Sequence, residues 1–289
     1  MKNLSFFKNF RKQKTNWIFF NSAFVKSNSK IISVSNRSFQ YGDGIFETMV
    51  AENGKIKFLE DHIERLSNGL SILKIEKPTI LTHQFLNDLL VKILKKNNYK
   101  EIEKNLYRLK LQIWRKPGGL YSPENNEAEF CISIAEFKQK QIEKNNVLFY
   151  DEINLSFSTI SPLKTCNSLP YIMASLSRKK YNVDDMILST KDGYISECTS
   201  TNIFWIKDDT IFTPSLYTGC IDGIMRKQVI NKCSELNINI EIGEYSKDFI
   251  LDADAAFTSN VTGFHPIKKI EEKNFSIDIA QKFIQNLKL

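Results

Sequence analysis

The period of apolar positions changes several times along the chain, and each change marks an element. From Trp17, "WIFFNSAFV" reads as a strand, followed by a turn at "KSNSK" and a further strand at "IISVS". "GIFETMVAENGKIKFL" reads as a β-hairpin, because "ENG" separates two apolar-rich runs. The period then lengthens: Leu59, Ile63, Leu66, Leu70 and Leu73 recur at steps of four and three, which predicts an amphipathic helix. "PTILTHQFLNDLLVKILKKN" predicts a second helix. Two strands follow, "LYRLKLQIW" and "AEFCISIAEF", joined by the loop "RKPGGLYSPENNE". "KQKQIEKNN" is charged and lacks any apolar period, so it reads as a linker. Beyond it, short strands ("MILST", "GYISE", "NIFWI", "TIFTP") mix with helices predicted over 168–181 and 223–236.

These elements predict an α+β protein of two domains of similar size. The expected divisions are a basic extension over 1–15, a first domain over 16–138, a linker over 139–146 and a second domain over 147–289. Sites in such proteins commonly lie between the domains. The length of 289 residues and a hydrophobic content of 42% suffice for a substantial core and exclude a disordered chain. The net charge of +7 arises from 40 basic and 33 acidic residues that are interleaved along the chain. A nucleic-acid binder would gather its basic residues on one face, so a basic nucleic-acid-binding module is only a remote alternative. The stretch "MKNLSFFKNFRKQKT" holds basic residues and no acid, and reads as a solvated extension rather than a cleaved targeting segment. The five cysteines form no C-x-x-C pair, which argues against both a disulfide framework and a zinc site. No apolar run approaches the roughly 20 residues of a membrane span. A cytoplasmic protein without membrane, metal or nucleic-acid partners is expected.

Four places carry candidate chemistry. In "SPLKTCNSLPYIMAS", Lys164 stands at the mouth of a predicted helix among apolar neighbours. Such a lysine either snorkels into water or is put to use, since burying an unpaired ammonium is costly. In "YISECTSTNIFWI", Glu197 stands where a strand meets a Ser/Thr-rich turn. It is either a surface turn residue or a buried carboxylate with a cationic partner. In "TPSLYTGCIDGIMRKQVI", Gly223 immediately precedes a helix, where free N–H groups favour an anion such as phosphate. Glycines also precede helices for conformational reasons alone. In "FLEDHIERLSNGL", Arg65 leaves the helix on a side that the leucine stripe does not use. There it is either solvated or a phosphate ligand. With His62, His83 and His265 the only histidines, metal chemistry is not expected.

Taken in order, "YGDGIFET", "DHIERL", "LKTCN", "ISECTSTNIF", "TPSLYTG" and "DGIMR" resemble the class IV aminotransferases, the fold-type IV pyridoxal-phosphate enzymes. That group includes branched-chain and D-amino-acid aminotransferases and aminodeoxychorismate lyases. The resemblance runs from about Asn21 to Pro266 and implies the two-domain α+β architecture of the D-amino-acid aminotransferase type, with pyridoxal 5'-phosphate as cofactor. It identifies Lys164 as the lysine that forms a Schiff base with the cofactor and then shuttles the substrate proton. Glu197 matches the carboxylate on the pyridine nitrogen, and Arg65 a phosphate ligand. The amides of Ile224 and Met225 match the phosphate cup, with Ser259 or Asn260 of "FTSNVTGFHP" adding a contact. "LKLQIWRKPGGLYSP" is similar to the lyase-type loop, which implies Arg115 and Tyr121 near the substrate carboxylates, with Tyr41 of "YGDG" also on the substrate. Branched-chain enzymes carry a tyrosine shortly after the lysine; here the residues after Lys164 are Thr-Cys-Asn-Ser-Leu and Tyr171 comes later.

The resemblance leaves two chemistries on one set of residues. A lyase eliminates pyruvate from 4-amino-4-deoxychorismate and leaves 4-aminobenzoate for folate synthesis. A branched-chain or D-amino-acid transaminase passes the amino group to a 2-oxo acid. The loop holding Arg115 and the absence of the early tyrosine lean toward the lyase. A homodimer with its site at the domain interface is also implied.

Overall fold

A computed structural model describes residues 16–99, 105–138 and 143–289 of the chain. The basic extension over 1–15 and the first half of the expected linker fall outside those residues. Among the described residues the strands form three sheets, and their membership divides the chain between residues 137 and 147.

The first sheet takes β1 (Trp17–Phe20), β2 (Ala23–Lys26), β3 (Gly44–Glu52), β4 (Lys55–Ile56), β5 (Leu106–Arg115) and β6 (Ala128–Phe137). Its order is β2-β1-β6-β5-β3-β4, antiparallel throughout. The short helix α1 (Arg37–Tyr41) precedes β3, and the helices α2 (Leu59–Ile72) and α3 (His83–Lys96) lie on one face of the sheet. The leucine stripe does what its spacing predicts: Leu59, Ile63, Leu66 and Leu70 are buried against Met49, Leu109 and Ile113. Thr82 caps α3 by accepting from the Phe85 amide, which sets its start after "PTIL".

The second half opens with β7 (Val147–Leu155) and α4 (Leu169–Tyr181), then β8 (Asp185–Thr190), β9 (Ile195–Cys198), β10 (Asn202–Lys207) and β11 (Thr210–Pro214). There follow α5 (Ile224–Glu235), β12 (Ile240–Gly243), α6 (Lys247–Leu251), β13 (Ala255–Asn260), β14 (Gly263–Ile267), β15 (Lys269–Ile270), β16 (Lys273–Asn274) and α7 (Ile277–Leu287). They build one sheet ordered β12-β11-β10-β13-β14 and another ordered β16-β15-β7-β8-β9. One core joins the two: Val147, Ile187 and Ile195 pack with Trp205, Phe212 and Ala256. α5 and α7 cover the far face of the former sheet through Val229, Cys233, Phe283 and Leu287.

Three expectations need correction. "WIFFNSAFV" is not one strand: it folds back at Asn21–Ser22, so that Phe20 faces Ala23. Asn21 takes the left-handed conformation (φ 51°), which asparagine tolerates better than most residues. "IISVS" forms no strand. No strand among the described residues pairs with it, and Ile32 and Val34 remain exposed. The second half of the expected linker is not a free tether. Lys144 is buried on Asp185 and Thr201, and its backbone bonds Pro266 and Lys268. All five cysteines are free thiols. Among the described residues, no helix is long and apolar enough to cross a membrane.

Candidate active site

A cavity of about 690 Å³ opens between the two halves. The first half contributes Phe46, Thr48, Arg65 and Arg108 to its lining. The second contributes Lys164, Tyr171, Glu197, the turn 199–202, Gly223 to Met225, and Asn260 to Thr262. The volume lies within the range of small-molecule sites.

Lys164 reaches this cavity because its own segment adds to the first sheet. Phe46 N–H donates to the Lys164 carbonyl at 2.9 Å, Cys166 N–H donates to the Gly44 carbonyl at 2.9 Å, and Thr165 bridges Ile45. That pairing fixes the Lys164 side chain across from Phe46, with Nζ 4.9 Å from the ring centroid. Burial pushes the ammonium below its ordinary basicity, and the Arg65 guanidinium pushes the same way. Glu197 and Glu47 pull in the opposite direction and do not win. The result is an amine with enhanced access to its neutral, nucleophilic form.

Glu197 lies in β9, paired across from Leu188, and is buried. Its Oε1 accepts from the Tyr171 hydroxyl at 2.7 Å and from the Ile221 amide at 2.9 Å. Both bonds end on that one oxygen, so Oε2 takes none from the described residues. Desolvation lifts the carboxyl to about 7, although both hydrogen bonds favour the charged form. Burial and the nearby carboxylate raise the Tyr171 hydroxyl, which keeps it a donor. A buried carboxyl with one bare oxygen facing a cavity suits a cationic N–H donor.

Opposite charge gathers where α5 begins. Its N-cap, Gly223, has no side chain to occupy the first N–H groups, which leaves the Ile224 and Met225 amides at the cavity wall. Arg65 stands beside them, donating from Nη1 to the Asp222 carbonyl at 2.8 Å. Gly223 is required for close approach. A Cβ there would sit 2.1 Å from Asn202 Oδ1, whose amide is held on the Ser259 carbonyl at 3.0 Å. Gly223→Ala is expected to lower stability by about 1–3 kcal/mol through this overpacking, read from the midpoint of a urea transition. An unchanged midpoint would show that Asn202 moves aside freely.

Asn260 lines the cavity, but its side chain joins two turns. Nδ2 donates to the Ser200 carbonyl at 3.2 Å, and Oδ1 accepts from the Thr262 amide at 2.8 Å and from its hydroxyl at 2.6 Å. Ser259 is fully buried beneath it, with Oγ on Asn202 Nδ2 at 3.3 Å, and does not line the cavity.

Tyr41, Arg115 and Tyr121 do come together, in an adjoining cavity of about 270 Å³ that shares Ile160, Thr165 and Asn167 with the larger one. The two tyrosine rings lie 5.7 Å apart, and Tyr121 is exposed. Arg115, expected near the substrate carboxylates, lines this smaller cavity but is itself buried. Nε donates to Asp43 at 3.0 Å, Nη1 to the Lys74 carbonyl and to Asn126, and Nη2 to the Leu73 carbonyl at 2.7 Å. Four of its five N–H donors thus brace the protein itself. Arg37, in α1, shares Asp43 and binds the carbonyls of Gly118, Gly119 and Leu120, which fixes the loop that carries Tyr121.

An open guanidinium of the larger cavity is Arg108, which sequence reading missed. It is exposed and makes no hydrogen bond to the described residues. Its signal lies in the period of β5: Leu109, Leu111 and Ile113 are buried, so Arg108 and Lys110 must face the other way. His62 is buried on Glu47, and among the described residues no His, Cys, Asp or Glu cluster is placed to hold a metal ion.

The sequence model of the amino-transferase class IV family matches residues 44–270. The chain is 28% identical over 265 residues to the aminodeoxychorismate lyase of Bacillus subtilis (strain 168), covering 89% of this chain and 88% of that protein. It is 27% identical to a putative branched-chain-amino-acid aminotransferase of Methanocaldococcus jannaschii, covering 88% of each. In fold it is similar to the branched-chain aminotransferase of Thermoproteus uzoniensis solved with norvaline, at a TM-score of 0.84 and 22% identity over 95% of this chain and 94% of that one. A putative 4-amino-4-deoxychorismate lyase from Legionella pneumophila gives 0.80 and 21% over 91% and 96%. With the family's pattern spanning well over half of its length and the expected α+β, fold-type IV architecture around one cavity, the chain is an enzyme of the amino-transferase class IV family.

Proposed function

We propose that this enzyme uses pyridoxal 5'-phosphate and eliminates pyruvate from 4-amino-4-deoxychorismate to leave 4-aminobenzoate. The observation that carries the cofactor reading is the pairing of Lys164, an amine of depressed basicity, with the bare Oε2 of buried Glu197 in one cavity. The residues fit the group end to end. Glu197 would hold a proton on its ring nitrogen, and Arg65 with the Ile224 and Met225 amides would hold its phosphate. Asn260 would act through the turns it joins. When bound, the cofactor supplies an aldehyde for the lysine and an aromatic ring that accepts electrons from the substrate carbon.

The chain's own residues would do the rest. Lys164 would attack as the free amine, then take the proton from the substrate Cα and return it, as base and then acid. Tyr171 would hold Glu197 in place through Oε1 and leave Oε2 for the ring. Arg108 would face a substrate carboxylate as an unpaired guanidinium at the cavity wall, while Tyr41 and Tyr121 would bound the substrate's far side. Arg115 would serve by bracing that wall.

The lyase reading is supported by the Bacillus subtilis relative and by the Gly-Gly-x-Tyr loop that Arg37 fixes. A transaminase that uses a 2-oxo acid is the second reading, supported by the Methanocaldococcus jannaschii relative, which covers 88% of this chain against 89% for the lyase. A homodimer fits the outer face of α4, where Leu169, Ile172, Met173 and Leu176 are all exposed and a second copy would cover them.

The test supplies the cofactor-loaded protein with 4-amino-4-deoxychorismate and follows 4-aminobenzoate by fluorescence and pyruvate by a coupled dehydrogenase. Equal amounts of both products without any 2-oxo acid are expected. Turnover only when an amino acid and a 2-oxo acid are present together would establish the transaminase instead. Inactivity in both assays would overturn the reading.

A further inference from the structure

Beneath the cavity, two buried side chains that the chemistry above does not use, Glu47 and His62, close on Arg65. Glu47 lies in β3 between Phe46 and Thr48, which face the cavity, so its own side chain points to the opposite face, against α2. Only 2% of it is exposed. Its Oε1 accepts from Arg65 Nε at 2.8 Å, and its Oε2 accepts from Arg65 Nη2 at 2.5 Å and from His62 Nδ1 at 2.7 Å. His62 and Arg65 are one turn apart on α2 and so share a face. Since a carboxylate only accepts, His62 Nδ1 carries the proton. Its Nε2 is buried and meets no partner among the described residues.

Burial alone would push Glu47 up, but the Arg65 charge and the His62 hydrogen bond outweigh it and hold the carboxyl at about 2. The carboxylate therefore stays charged at any working pH. Arg65 is gripped side-on by two of its donors, and a third goes to the Asp222 carbonyl across the seam between the halves. Asp222 in turn donates its N–H to the Pro162 carbonyl at 3.0 Å, two residues before Lys164. Two guanidinium donors are left over for a ligand.

We propose that Glu47, backed by His62, is a positioning residue that orients Arg65 toward an anion and thereby sets the site's preference for a phosphate ester. This rests on the reading of Arg65 as a phosphate ligand.

The experiment titrates the cofactor-free enzyme with pyridoxal phosphate and with pyridoxal, following visible absorption, and divides the dissociation constant of pyridoxal by that of pyridoxal phosphate. Glu47→Gln is expected to lower that ratio about 10- to 100-fold, because it replaces a charged grip on Arg65 with a neutral one. In an Arg65→Gln background the same change should move the ratio less than about 2-fold, since Glu47 acts through Arg65. His62→Leu should lower the ratio by a smaller factor, and His62→Gln, whose amide still donates, should restore it. The His62 pair leaves the Glu47–Arg65 contact in place and carries the test if Glu47→Gln fails to fold. A Glu47→Gln protein that loses affinity for both compounds equally would overturn the proposal, as would equal ratios in the His62 pair. A wild-type protein that prefers neither compound would overturn the phosphate reading of Arg65, and this inference with it.

Discussion

Lys164→Ala is expected to cost at least ~10⁴-fold in turnover while leaving the protein folded. Two roles fall on one Nζ: attack as the free amine and transfer of the substrate proton. General acid–base catalysis alone is worth about 10²–10⁴-fold, and loss of the nucleophile adds to that. No second base stands ready. His62 is buried on Glu47, and Tyr171 is held as a donor to Glu197. Stability should hold or rise, because the substitution removes a cation that burial and Arg65 both disfavour and keeps the backbone pairing with Gly44 and Phe46. Steady-state turnover together with a thermal melt checks this. A folded Lys164→Ala protein that retains more than about 1% of turnover would place the chemistry elsewhere.

What the sequence makes legible follows from how local each signal is. β5 and β6 are readable almost to the residue, because Leu106 to Phe137 keeps a period of two on either side of a Gly/Pro loop. Lys164, Glu197, Arg65 and the start of α5 each sit in a short motif of their own segment, and the ordered set of those motifs marks them where no single one does. The structure sets all four around one cavity.

Signals that depend on distant partners are not readable. Lys144 looks like part of a solvated linker until Asp185, 41 residues away, is folded against it. The bonds that bury Arg115, expected near the substrate carboxylates, come from Asp43 and from the carbonyls of Leu73 and Lys74, all distant in sequence. Glu47 and His62 carry no local signature of pairing, since 15 residues and a hairpin separate them. α7 has a strong amphipathic stripe, with Ala280, Phe283 and Leu287 buried, and could have been found by the same period that revealed α2. Arg108 was likewise available from strand alternation alone.

The second large effect belongs to Glu197. Glu197→Gln keeps an oxygen for Tyr171 and Ile221, but it puts an amide N–H where Oε2 now faces the cavity. Removing one preorganised electrostatic contact of this kind costs about 10²–10³ in turnover. The same substitution has a signature in the cofactor-free protein that activity cannot mimic. The folded carboxyl titrates at about 7, against an ordinary value of 4.5, so the folded state holds a proton that the unfolded state has released between those values. Stability is therefore fully present below pH 4.5 and is lost as pH rises toward and through 7, by ~3 kcal/mol in all. Glu47 has the opposite sign and another window: its contribution is lost only as pH falls from 4.5 to about 2, so it does not mask the effect. Urea midpoints measured from pH 4.5 to 8 should fall with pH in the cofactor-free wild type and flatten in Glu197→Gln. Parallel slopes would mean that Glu197 is already ionised in the empty cavity, and its role as the waiting partner of a ring N–H would have to be given up. A flattened slope with turnover intact would separate the two roles and leave the carboxyl a structural group. Only the joint loss of slope and turnover assigns to one oxygen both the strain of burial and the chemistry that relieves it.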